Sequence, residues 1–274
     1  MNGITVTRYP VAGTVRLGGE RAAGAAVVAE ILLDRPPVNA ISSALGRELT
    51  EACGEIAAEP SVRAVVLSGS PDSRAFSAGA DLKERAGMTD ADLLRQRPVI
   101  RGVFGAVLGL PQPVVAAVHG FALGGGFELA LSCDLIVADE TAVFGLTEVT
   151  VGLVPGGGGT QLLLRRAGTG RAADLVLTGR HVAIAEAERL GLVDRRVPAG
   201  SAREAAIEVA SVIAGNSPVA VRAAKRAMRN GWGAGLAAGL DIEDAAWRTA
   251  ATSADRREGI AAFAEKRQPE WPPS

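Results

Sequence analysis

The sequence AAVHGFALGGGFELALSCDLIVAD, residues 116–139, decides the fold. It predicts a buried strand that ends near Val118, a turn through the glycines 124–126, a short helix over residues 127–133 and another buried strand over 135–138. Neither strand alternates apolar and polar residues, which is typical of strands covered on both faces of a parallel sheet. The stretch therefore predicts an α/β fold in which helices cover a parallel sheet.

The same organisation extends on both sides of this stretch. Upstream, the pattern predicts strands over residues 4–7, 11–17, 25–33 and 63–67, a turn at Gly18 and Gly19, a helix over about 42–58, a loop over 68–82 and a helix over 89–108. Downstream, it predicts a strand fragment at 142–144, a glycine loop at 156–159 before a helix over 160–166, and helices over 201–214, 217–230, 235–250 and 253–266. We expect an α/β core over residues 1–195 and a helical region over 196–274.

Composition excludes several classes of function. The chain has 274 residues, 48% of them hydrophobic, and a formal net charge of −1. A near-neutral chain has no long-range attraction for nucleic acid or an anionic membrane, so we expect neither as a partner. The only cysteines, Cys53 and Cys133, form no CxxC pair and there are two histidines, so no metal site is expected. No signal peptide or membrane span is visible, which predicts a cytoplasmic protein.

Two segments have the character of ligand-binding backbone. The small residues of FSAGADLK, residues 76–83, let a ligand approach the main chain, although an ordinary loop has the same composition. The glycines 124–126 precede a helix, whose first N–H groups are unpaired and lie at the positive end of the helix dipole. Such a turn can hold an anion or an oxyanion, or it can serve packing alone.

Two carboxylates, Glu128 and Glu148, lie in mainly apolar segments. A carboxylate in apolar surroundings either finds a partner or shifts its protonation. If both face one cleft, they can hold a water and exchange protons with a substrate. If they do not, each caps backbone amides near it, and the sequence leaves both possibilities open.

Together these segments resemble the crotonase, or enoyl-CoA hydratase/isomerase, family. The resemblance runs from about Arg35 to about Pro269, through FSAGADLKE, the stretch quoted first, FGLTEVTVGLVPGGGGTQLL and TSADRREGIAAFAEKR. It implies a crotonase-like spiral of ββα units with a C-terminal helical trimerisation region, and a homotrimer or dimer of trimers. The ligand it implies is an acyl-CoA substrate, with no separate cofactor.

The resemblance also implies a reaction. The amides of Ala80 and Gly125 would form an oxyanion hole for the thioester, Glu128 would activate water, and Glu148 would deliver a proton to Cα. Relatives that only shift a double bond commonly keep one of the two acids, so both together favour an enoyl-CoA hydratase that makes 3-hydroxyacyl-CoA from trans-2-enoyl-CoA. The alternatives are an enoyl-CoA Δ-isomerase on the same scaffold and a non-catalytic acyl-CoA- or RNA-binding member.

Further residues are implied to lie along the coenzyme A or the acyl chain. Lys266 is implied to reach the CoA of a neighbouring subunit, although Lys83 and Lys266 could equally be solvated charges. The pocket wall is expected from residues 88–108 and the tail. His119 departs from the family, in which hydratases often carry Asn. The positions implied to bind substrate are Val38, Ala40, Ala78, Asp81, Leu82, Lys83 and Lys266.

Overall fold

A computed structural model describes residues 3–11 and 26–271. The predicted turn at Gly18 and Gly19 lies outside the described residues, as do residues 12–17 of the second predicted strand. Within the described part the strands are β1 (Ile4–Pro10), β2 (Val27–Leu33), β3 (Val62–Gly69), β4 (Ala75–Ser77), β5 (Val114–Val118), β6 (Phe121–Leu123), β7 (Leu135–Asp139), β8 (Val143–Gly145), β9 (Val182–Ala183) and β10 (Arg195–Val197).

The predicted long helices are present in residues 3–11 and 26–271, and the chain after Arg171 is mainly helical, as expected. The helices of the described residues are α1 (Ser43–Ala57), α2 (Leu82–Arg85), α3 (Asp90–Gly109), α4 (Gly125–Ser132), a 3-10 helix (Glu148–Val151), α5 (Gly159–Ala167), α6 (Thr169–Thr178), α7 (Ile184–Arg189), α8 (Ala202–Ala214), α9 (Pro218–Gly231), α10 (Leu236–Ala251) and α11 (Ala254–Glu265). None of these described helices combines the length and apolar character needed to cross a bilayer.

The strands form two sheets, and from β3 to β8 successive strands belong to the two sheets in turn. The larger has the order β1-β2-β3-β5-β7-β10, parallel except for β1 against β2, and the smaller has the order β4-β6-β8-β9. Each of the pairs β3/β4, β5/β6 and β7/β8 gives its first strand to the large sheet and its second to the small one, and helical structure follows. The expected spiral of ββα units is therefore present. The loop expected over residues 68–82 is wrong in part, because it contains β4, a strand of only three residues.

The large sheet is buried on both faces. One face packs against α1, α3 and α4 around side chains such as Leu67 and Phe127, and the other packs against α8 through the alanines 206, 210 and 214. The expected boundary at residue 195 falls at the start of β10. Helix α8, which comes after this boundary, still packs on the large sheet. The division into a core and a helical region stays a prediction.

One buried carboxylate ties α8 to the sheet. Glu30 of β2 is 1% exposed and accepts hydrogen bonds from Ser68 Oγ at 2.6 Å and from Tyr9 OH at 2.7 Å. Arg203 of α8 donates to the same carboxylate from Nε at 2.6 Å and from Nη2 at 2.7 Å. Although burial opposes ionisation, these bonds hold the pKa of Glu30 below its usual value.

Arg203→Met should destabilise the protein by about 2–4 kcal/mol, because it leaves the buried Glu30 carboxylate without its cation. Urea denaturation measures the free energy of unfolding. Arg248→Met, which breaks the exposed pair with Asp244, is the control and should cost under about 0.5 kcal/mol. Adding Glu30→Leu to Arg203→Met should recover part of the loss, whereas equal losses for both single variants would contradict this account.

Candidate active site

A cavity of about 450 Å³ lies where the first residues of α4 meet α3 and two loops. One loop follows β4 and the other follows the 3-10 helix. The cavity brings Glu128 and Glu148 together with Ala80 and Gly125, so the two carboxylates do meet. The other lining residues are Ile41, Ala78, Leu82, Arg85, Leu93, Leu94, Gln96, Arg97, Ile100, Phe104, Gly124, Thr147, Val151, Leu153, Val154, Pro155, Gly156 and Gly157.

Glu128 lies in the first turn of α4 and is 3% exposed. Its Oε1 accepts hydrogen bonds from Gly157 N and Gly159 N, both at 2.7 Å. These amides are some thirty residues away in sequence, so Glu128 binds the loop across the cavity instead of capping its own helix. The pKa of Glu128 is raised, because burial outweighs the amides and the charge of Arg97, which lower it.

Glu148 is held differently. It begins the 3-10 helix, and among the described residues its buried Oε2 has no hydrogen-bond partner. Burial and, to a smaller extent, the nearby Glu128 carboxylate together raise the pKa of Glu148 to about 7. A β-carbon built on Gly124 would lie 3.0 Å from Glu148 Oε1, so the glycine turn and this carboxyl group are in contact.

The three glycines before α4 meet three different requirements. Gly124 has φ = +51°, a conformation that other residues rarely adopt. A β-carbon on Gly126 would lie 1.9 Å from the carbonyl oxygen of Ser77, so only glycine lets α4 approach β4. Gly125 has neither constraint, which makes it the glycine whose amide and open space are free for a ligand. The predicted helix at 127–133 was wrong at its start, because α4 includes Gly125 and Gly126 in its first turn.

The amides of Ala80 and Gly125 lie side by side. Ile41 N donates to Gly79 O at 2.7 Å, and Asp81 N donates to Ile41 O at 3.1 Å. Because Ala80 lies between these two residues in an extended segment, its N–H is directed away from Ile41. Gly125 is the first residue of α4, where an N–H has no acceptor within the helix. A β-carbon built on Gly125 would lie 3.6 Å from Ala80 N, so the two residues are direct neighbours.

The remaining positions expected at the ligand are dispersed. Ala78 and Leu82 line the cavity. Asp81 instead caps α2, accepting from the amides of Lys83 and Glu84, and pairs with Arg35 at 2.7 Å. Four of the expected positions do not line the described cavity. They are the half-buried Val38 and Ala40 and the exposed Lys83 and Lys266.

Helix α3 supplies much of the cavity wall, as expected for residues 88–108, whereas the described part of the tail adds none of it. The sequence did not predict the two cations in that wall, half-buried Arg85 and exposed Arg97, because a local pattern does not show which way an arginine on a helix faces. His119 is not at the cavity among the described contacts; its Nε2 lies 3.1 Å from Ser73 O at the end of β5.

Glu148→Gln should stabilise the protein more at pH 8 than at pH 5. The native pKa near 7 exceeds the ordinary value of 4.5, so the wild type loses stability as pH rises through this interval, and glutamine does not. We expect the variant's advantage in unfolding free energy to grow by about 1–2 kcal/mol, after allowance for solvent screening. Denaturation at both pH values measures it, with Glu208→Gln on the exposed side of α8 as control; an unchanged difference would contradict the buried environment of Glu148.

Comparison with known proteins shows the family of the chain. The family described as Enoyl-CoA hydratase/isomerase matches residues 23–273. A crystal structure of an enoyl-CoA hydratase from Bacillus anthracis is 46% identical, with a TM-score of 0.87 over 90% of this chain and 96% of that one. The DspI protein of Pseudomonas aeruginosa is 31% identical, with a TM-score of 0.89 over 99% and 97% of the two chains. The mouse mitochondrial enoyl-CoA hydratase domain-containing protein 2 is 41% identical over 89% of this chain and 84% of its own. The chain belongs to the enoyl-CoA hydratase/isomerase family, the crotonases.

Proposed function

We propose that the protein is an enoyl-CoA hydratase, which adds water syn to trans-2-enoyl-CoA and gives 3-hydroxyacyl-CoA. The observation that carries the proposal is that one cavity contains two carboxyl groups with different numbers of hydrogen bonds. Glu128 is bound by two amides, whereas Glu148 has an unpartnered oxygen and a pKa near 7. A base and an acid on the same side of a double bond are what addition of water requires.

The proposed reaction uses each group once. The thioester oxygen binds between the amides of Ala80 and Gly125, which stabilise the negative charge that develops there. Glu128 accepts a proton from water through the carboxylate oxygen that is not held by the loop, while the water oxygen bonds to C3. Glu148, protonated, gives its proton to C2. Because both acids lie in the same cavity, both new bonds form on one face of the double bond.

The alternative enoyl-CoA Δ-isomerase would move a proton between C2 and C4 and needs only one acid. A hydratase needs both, since one group binds water and the other protonates carbon. The presence of two carboxyl groups in the cavity supports hydration. A trimer or dimer of trimers and a cytoplasmic role in β-oxidation stay predictions; exposed Trp232, Leu236, Trp247 and Phe263 on the tail support assembly.

Glu128→Gln and Glu148→Gln should each lower kcat for hydration of crotonyl-CoA by at least about 10²-fold, the contribution of one positioned acid or base. Loss of the conjugated enoyl absorbance measures the rate, and incorporation of labelled solvent oxygen separates hydration from isomerisation. For the wild type, kcat/KM should fall as pH rises above about 7, because Glu148 then loses the proton it donates. A variant with wild-type kcat would remove that residue from the mechanism.

Gly125→Val should lower kcat by about 10²–10³-fold while the fold is retained, because its side chain occupies the space beside the Ala80 and Gly125 amides. The added β-carbon meets only ordinary contacts, the nearest at 3.5 Å. Gly54→Val, on the exposed side of α1 with nothing within 4 Å, is the matched control and should keep its activity. Circular dichroism checks the fold of both. Wild-type activity in folded Gly125→Val would mean that the thioester oxygen binds elsewhere.

A further inference from the structure

Arg97 is a cation fixed in the cavity wall. Its Nη2 donates to Gly156 O at 2.6 Å. A β-carbon built on Gly156 would lie 3.1 Å from Arg97 Nη1 and 3.3 Å from Cζ and Nη2, so the whole guanidinium lies against this glycine. This contact with the backbone favours one position for the charge, on a side chain that is otherwise exposed to solvent.

This charge forms no salt bridge with any described residue, although it acts at longer range on the Glu128 carboxylate. A guanidinium carries five N–H donors, and the only hydrogen bond that Arg97 makes within the described chain uses one of them. Most of its neighbours in the wall, such as Leu93, Ile100 and Phe104, are apolar. Glu128 already accepts two amides. A held arginine with free donors beside apolar side chains is suited to a carboxylate, which it can bind through two parallel hydrogen bonds.

We propose that Arg97 determines specificity by binding a carboxylate at the far end of the acyl chain, so that the preferred substrates are 2-enoyl-CoA thioesters that carry such a carboxylate. The inference rests on the proposed function, since it names the substrate class of the same site. Hydration itself is unchanged: water still adds its oxygen to C3 and a proton reaches C2, and the distant carboxylate takes no part in bond making.

The phosphates of coenzyme A are the other possible source of negative charge, and the placement of the two cavity arginines separates the sources. Arg85 ends α2, two residues after the segment 80–83 along which the CoA is expected, and its charge acts on Glu148, the acid proposed to serve C2 beside the thioester. Arg97 instead contacts Gly156, whose neighbour Gly157 donates to Glu128. It therefore lies beside the carboxylate proposed to act at C3, where the rest of the acyl chain continues away from the thioester.

Binding tests the proposal independently of catalysis. Glutaryl-CoA carries the carboxylate, and 5-methylhexanoyl-CoA replaces it with an isopropyl group of the same shape; neither has a double bond to hydrate. Calorimetry on the wild type should show tighter binding of glutaryl-CoA by about 10- to 100-fold. Arg97→Met should abolish this preference and Arg97→Lys should keep part of it. Free CoA should bind Arg97→Met as it binds the wild type, whereas Arg85→Met should weaken every CoA ligand alike.

The same variants are then assayed for hydration of glutaconyl-CoA and 5-methylhex-2-enoyl-CoA. We expect the ratio of the two kcat/KM values to fall by about 10- to 100-fold in Arg97→Met. Equal losses on both substrates would overturn the proposal, because they would mean that Arg97 only supports the loop that binds Glu128. A wild type without preference for the carboxylate, or a preference lost only in Arg85→Met, would also overturn it. If glutaryl-CoA is preferred but no enoyl-CoA is hydrated, the carboxylate site stands and the proposed hydratase fails.

Discussion

The cavity depends on the two hydrogen bonds that Gly157 and Gly159 donate to Glu128. They join the start of α4 to a glycine-rich loop on the opposite wall, and so fix the distance between the two sides of the site. The loop can reach the carboxylate only because it lacks side chains there. A β-carbon on Gly159 would lie 2.9 Å from Glu128 Oε1, and one on Gly157 would lie 2.5 Å from the ring of Phe104. Glu128, a proposed catalytic group, therefore also joins α4 to the glycine-rich loop.

The same bonds explain how two acids can share a small space. Two carboxylates close together in an apolar cavity repel each other, and burial opposes the charge on both. Burial raises the pKa of both groups; the amides of the glycine-rich loop offset part of the rise at Glu128, whereas the pKa of Glu148 rises to about 7. The difference between the two groups therefore comes from which one the backbone contacts. It does not come from the residue type, which is the same.

The sequence predicted the parts of the fold that have a strong local pattern. The buried strands at 63–67 and 135–138 and the long helices were confirmed, since their apolar residues recur over many positions. The small sheet was largely missed, because β4, β6 and β9 have three residues or fewer and their partners are distant in sequence. Glu128 and Glu148 were named from the family resemblance, but their meeting, their unequal hydrogen bonding and the direction of Arg97 depend on contacts between distant segments, which no local pattern contains.

The spiral also has a consequence for how the chain folds. Three of the four parallel pairings in the large sheet join residues that are at least 35 positions apart: Val27 pairs with Val62, Val65 with Val114, and Arg195 with Val137. Pairing between distant segments gives a high contact order. It slows folding, because a long loop must close, at a cost in entropy, before its two strands can form hydrogen bonds. Until β10 is added, the edge of β7 presents unpaired N–H and C=O groups. During synthesis β7 therefore lacks its partner β10 until almost three quarters of the chain has been made, and we expect the partly made chain to be prone to aggregation in that interval.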